Sequence, residues 1–211
     1  MAIGQHLLFT LVSVAIGFAL GLVLGILLSR RPKLSGVVLP VLSRQARFIL
    51  PLLSLFNTIP GVVFIGLLFL QLGMVPATVI IALSIYAMFP VLKNTYAGLV
   101  SVDQQYIEAA RGCGMSAIQS LIRVELPLAM PVIISGLRMA AIYTVSWAVL
   151  ASMIGLGGLG DFVYRGTSSN NNTLILLGAI PAAILAVLFG LVIDLLQKRV
   201  TPRGLRKEAG K

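Results

Sequence analysis

The chain is 211 residues long, 58% hydrophobic and only 10% charged, with a net charge of +10. That balance excludes an ordinary soluble domain, which needs far more polar surface, and points to a membrane protein. One cysteine (Cys113) and one histidine (His6) exclude an intrachain disulfide and argue against a Cys/His metal site, and the sequence holds no nucleophile–base set and no phosphate-binding loop.

Crossing the hydrocarbon as a helix takes about 20 apolar residues. Five stretches qualify, at roughly 7–28, 49–70, 76–92, 131–153 and 174–196. The first lacks a basic leading segment and runs into Arg30 and Arg31, so it is expected to be a retained helix and not a cleaved signal. Within it Gly17, Gly21 and Gly25 recur every fourth residue. Such a stripe lets another helix approach closely, from this chain or from a second subunit. The second stretch holds Pro51 and Pro60 with Asn57 and Thr58 between them. Proline loosens the backbone ladder at membrane depth, so Asn57 and Thr58 are candidates either for a translocation path or for interhelical hydrogen bonds. In the fourth stretch Arg138 lies about two turns in, as a functional intramembrane charge or as a side chain that snorkels to the interface. Tyr143 and Trp147, four apart, share a face of the same helix. At the end of the fifth stretch Asp194 and Lys198 stand in acid-before-base order and are expected to pair locally.

The basic residues set the orientation. Those after the first stretch, those between and at the ends of the third and fourth, and those of the 197–211 tail all fall on one side, against Arg165 alone on the other. By the positive-inside rule that side is cytoplasmic and the N-terminus is outside. The +10 charge is thereby explained without nucleic acid.

Residues 101–127 lie on the cytoplasmic side between two spans and read as a helical hairpin. Ser101 to Gln104 fits a capping box, and Gly112 and Gly114 close the helix that follows. Ser116 to Gln119 fits a second box, Ile118, Leu121 and Ile122 make an apolar face, and Pro127 is expected to stop the second helix. One Arg and one Glu on that helix are too few to hold DNA phosphates. A compact projection with Glu108 at its surface suits helix-in-groove recognition by a soluble partner, or simply braces the spans.

The segment EAARGCGMSAIQSLIRVELP (108–127) resembles the cytoplasmic signature of ABC importer permeases, carried here by Glu108, Ala109, Ala110, Gly114, Val124, Leu126 and Pro127. Val124 stands where isoleucine is usual. FPVLKNTYAGL (89–99), the glycine-rich run within 125–166, 176–194 and KRVTPRGL (198–205) are similar to permeases of glycine betaine, carnitine and choline importers. Methionine-type permeases share the five-span layout and a similar GLGGLG, and remain the alternative. The resemblance implies an all-α integral membrane protein of the type I importer permease fold, about five transmembrane helices in a single 1–211 domain. It implies a non-catalytic subunit without a cofactor of its own, ATP and magnesium being bound by partner ATPase subunits. Glu108, Ala109, Ala110, Gly114, Leu126 and Pro127 would dock those ATPases. A second permease subunit, an extracytoplasmic binding protein docking near 155–166 and a bacterial cell membrane complete the expected setting. For a quaternary ammonium ligand, which aromatic faces hold best, Tyr143 and Trp147 join Asn57 and Thr58 as path candidates, with core packing as the other role for the two aromatics. Asn57 stands where this branch is expected to carry glutamine. A secondary transporter or a scaffold without an ATPase is the reading from another class; few intramembrane charges and the EAA segment count against it.

Overall fold

The computed structural model describes residues 1–29, 39–56, 58–152 and 157–201; the side chains of residues 39–45, 47 and 56 also lie outside the description. Among these residues the chain is helical. The elements are α1 (Ala2–Ser29), α2 (Leu39–Phe56), α3 (Gly61–Leu72), α4 (Pro76–Val100), α5 (Gln104–Gly112), α6 (Ala117–Ser120), a π-helical turn (Leu121–Glu125), α7 (Leu126–Ala151), α8 (Leu159–Ser168) and α9 (Asn172–Val200).

In lipid the hydrophobic effect does not press helices together, so close packing of small residues must. α4 forms the centre, with α1 and α7 against it. A Cβ on Gly21 would lie 2.6 Å from the Met88 carbonyl oxygen, and one on Gly17 2.8 Å from that of Ser84. The glycine stripe is therefore filled by this chain's own α4, which decides between the two roles open to it. Across the other side of α4, Ala140, Ala141 and Ala148 are fully buried, and a Cβ on Gly136 would stand 2.9 Å from the Pro90 carbonyl. Tertiary contact here is backbone against backbone.

Among the described residues, four helical stretches are long and apolar enough to cross a bilayer: Ala2–Ser29, Pro76–Val100, Ala117–Ala151 and Asn172–Val200. The apolar run at 49–70 is divided into α2 and the 12-residue α3 by a break at 58–60. Pro60, which has no N–H to donate, stands immediately before α3. A 12-residue helix is about 18 Å long, short of the hydrocarbon thickness.

Pro127 does not stop the second hairpin helix, contrary to the expectation. The helix widens by one residue, the Leu126 N–H reaching back to the Leu121 carbonyl, and Pro127 enters the first turn of α7, where a missing N–H costs nothing. Helix thus continues from Ala117 to Ala151.

The expected Asp194–Lys198 pair is also replaced. Asp194 Oδ1 accepts from Arg138 Nε at 2.8 Å, joining α9 to α7, while Gln197 Nε2 donates to the Pro131 carbonyl at 3.1 Å. The guanidinium lies beside Gly190, its Nη2 3.6 Å from where a Cβ would stand in ordinary contact. An interhelical partner in a weakly screening medium outweighs a local one facing solvent.

Candidate docking hairpin and membrane groove

The hairpin begins where Asp103, not Ser101, caps α5: its carboxylate accepts from Gln105 N–H at 3.0 Å, while the Ser101 hydroxyl donates to the Gly98 carbonyl and closes α4. α5 ends in a Schellman close. Met115 N–H donates to the Ala110 carbonyl (3.1 Å) and Gly114 N–H to that of Arg111 (2.9 Å), with Gly114 at φ +76°. The Ser116–Gln119 box is complete in both directions, at 2.8 and 3.3 Å. Two short helices are thus held by local bonds at every end.

Ile107 and Ala110, three apart, turn inward and are buried, and Ile107 joins Leu99, Val102, Leu121, Ala129 and Ile133 in one apolar cluster. That leaves Glu108, Ala109 and Arg111 on the free face of α5, with Gly114 exposed beyond it. Leu126 and Pro127 are half-buried at the root of α7. Of the expected apolar face only Leu121 is buried; Ile118 is 60% and Ile122 58% exposed. With exposed Tyr106, they give the hairpin an unpartnered apolar surface beside one acid.

Toward the middle of the bundle, Trp147 of α7 stacks on Tyr86 of α4, ring centres 5.0 Å apart, and Phe64 of α3 meets Tyr86 edge-on at 5.4 Å. Gly61 lies so close to the Trp147 ring that no side chain fits there. The Tyr86 hydroxyl donates to the Ile59 carbonyl at 3.0 Å, anchoring the break between α2 and α3. Below the stack, α4 and α7 part to leave an open-sided groove of about 350 Å³. Tyr86 and Trp147 line one end, Tyr143 and Pro90 the middle, and Lys93, Asn94 and Met139 the other. Both aromatic candidates therefore line one cavity, although Trp147 stacks on Tyr86 and not on Tyr143. Thr58 is in an exposed turn apart from that lining, its hydroxyl donating to the Leu55 carbonyl. Asn57 lies outside the described residues. Tyr86, Lys93 and Asn94 were not singled out from sequence for this wall, because Lys93 reads there as one more interfacial charge. Their four- and seven-residue offsets from Pro90 and Tyr86 were the available signal.

The family model for the binding-protein-dependent transport system inner membrane component matches residues 17–205. The chain belongs to this family. As a permease component of ABC importers it is 40% identical over 205 residues to the carnitine transport permease protein OpuCB of Listeria monocytogenes, covering 96% of this chain and 88% of that one. It is 36% identical over 207 residues to the glycine betaine/carnitine/choline permease OpuCD of Bacillus subtilis (98% and 85%). The fold is that of a chain of the inward-facing MetNI methionine ABC transporter, with a TM-score of 0.82 and 23% identity over 95% of both chains. An amino acid ABC transporter superposes with a TM-score of 0.71 at 22% identity, over 94% of this chain and 92% of that one.

At the end of this permease opposite the hairpin, Gly157 and Gly158 (φ +76° and +93°) fold over Gln5, His6 and Ser152. Arg165, the basic residue at this end, is held by Asp161 one turn earlier on α8 through Nε and Nη2.

Proposed function

We propose that this chain is the permease subunit of an ATP-driven importer of quaternary-amine osmoprotectants of the glycine betaine, carnitine and choline class. The observation that carries the substrate class is the contrast between its relatives. Permeases named for carnitine, glycine betaine and choline share 32–40% identity with it, whereas the methionine transporter is alike in fold at 23%. On this reading the hairpin end is cytoplasmic and the N-terminus is outside, as the positive-inside rule requires. Of the six residues expected to dock an ATPase subunit, Glu108, Ala109 and Gly114 are exposed and seat the hairpin on it, while buried Ala110 and half-buried Leu126 and Pro127 support that surface from behind. That ATPase holds ATP and magnesium, and this chain carries no cofactor. A second permease chain completes the path, and a binding protein delivers the ligand at the α8 end.

The α4/α7 groove is the wall of that path. The outward faces of α1 and α9 present aliphatic side chains such as Leu11, Leu20, Leu177 and Leu188, suited to lipid. A lysine, an asparagine and a half-exposed Tyr143 suit water and ligand instead.

Purification from detergent tests the docking. An ATP-hydrolysing subunit is expected to co-purify with the wild type and to be lost, by tenfold or more, from Glu108→Lys. Gly114→Asn, which keeps the left-handed turn, should retain it, and Gly114→Val should not. Retention by both Glu108→Lys and Gly114→Val removes the docking role. Vesicles holding the whole assembly should take up radiolabelled glycine betaine only with ATP, and excess methionine should not compete.

A further inference from the structure

The groove is chemically two-ended. At one end the stacked Tyr86–Trp147 pair, with Tyr143 one turn away on α7, lines the groove with aromatic surface, the kind of wall that attracts a methylated ammonium. At the other end Lys93 is the single formal charge in the lining, and no carboxylate faces it. The two ion pairs recorded among the described residues, Arg138–Asp194 and Arg165–Asp161, leave it out. Lys93 and Tyr86 are seven residues apart on α4, two turns, or about 10 Å along the axis. Helical side chains lean toward the N-terminus of their helix, which on α4 carries the lysine stem toward the aromatic end. The Asn94 amide is already engaged, Nδ2 donating to the Pro90 carbonyl at 2.8 Å, so the ammonium of Lys93 is the strongest free donor in the cavity.

A bare cation in this groove meets a like charge with no acid to offset it. A molecule with a quaternary ammonium at one end and a carboxylate at the other is matched at both. We infer that Lys93 is the carboxylate subsite of the groove and makes the path select zwitterionic quaternary amines over choline. The inference rests on the proposed function, whose relatives are named for ligands of both kinds, and it names the residue that divides them.

The test is uptake by the reconstituted importer at saturating binding protein preloaded with either ligand, so that only steps after delivery differ. The wild type should move glycine betaine at least about tenfold faster than choline, the weight of one charge-assisted bond in a site shielded from water. Lys93→Gln should bring the ratio near one, chiefly by loss of betaine, and Lys93→Arg should keep it. Met139→Glu, at the same end of the groove and 41% exposed, places an acid beside the lysine and should shift the ratio the same way without disturbing the core. A ratio unchanged in both Lys93→Gln and Met139→Glu, or equal losses for both ligands, overturns the inference and leaves the proposed function standing. A wild type that imports methionine and no quaternary amine brings both down.

Discussion

At the scale of single residues, the bundle depends on places where hydrogen stands instead of a methyl group. Gly160 is the tightest of these: a Cβ there would run into the Val149 carbonyl, which is backbone and has nowhere to rotate. Gly66, inside α3, has open space around it. Gly160→Ala should therefore destabilise the permease by about 1–3 kcal/mol through overpacking. Gly66→Ala should be neutral or stabilise by up to about 1 kcal/mol, since glycine is a poor helix former. Thermal unfolding in one detergent compares the two, and a Gly160→Ala protein as stable as Gly66→Ala would mean the α7–α8 contact is looser than described. Trp147 illustrates the same dependence from the large side: its ring occupies the space that Gly61 leaves, and without that space it could not lie flat on Tyr86.

Between elements, the Arg138–Asp194 bridge fixes α9 to α7 at a depth where neither charge can be left alone cheaply. Asp194→Ala should cost about 1–2 kcal/mol, a moderate value because both side chains remain partly open to the surroundings. Adding Arg138→Met should recover part of the loss, as a double-mutant cycle followed by thermal unfolding would register. Additive losses would show that the two residues act independently. This pair also marks where sequence reasoning stopped. The Ser116–Gln119 box, the Gly114 turn and the apolar spans were legible because their causes are local: side-chain caps, a positive φ, a run of about 20 apolar residues. The partner of Asp194 was not, since Lys198 at i+4 satisfies the local rule and Arg138 is brought near only by the packing of α7 on α9. Pro127 misled for the same reason. Taken alone it ends helices, but a π turn before it moved it into a first turn. Of the candidate site, the hairpin could be read from its spacing, and Tyr143 and Trp147 from theirs. The α4 half of the groove could not, because the facing of α4 follows from the glycines of α1.

For the whole molecule, the two ends of the bundle differ in kind: a hairpin with an exposed acid and apolar side chains at one, a glycine loop folded over buried His6 at the other. Cys113, the sole cysteine, is exposed at the hairpin tip and reports which end is where. In inside-out vesicles stripped of ATPase, a membrane-impermeant maleimide should label it. In right-side-out vesicles it should stay unlabelled until they are opened, and the reverse pattern would invert the topology. The continuity of helix through Pro127 has a mechanical side. From Leu121 in the hairpin to Trp147 beside the groove runs one unbroken helical rod of about 40 Å, with no loop along it to absorb strain. If the hairpin seats an ATPase as proposed, a push delivered there would arrive at the stacked rings as tilt or rotation, along a single lever.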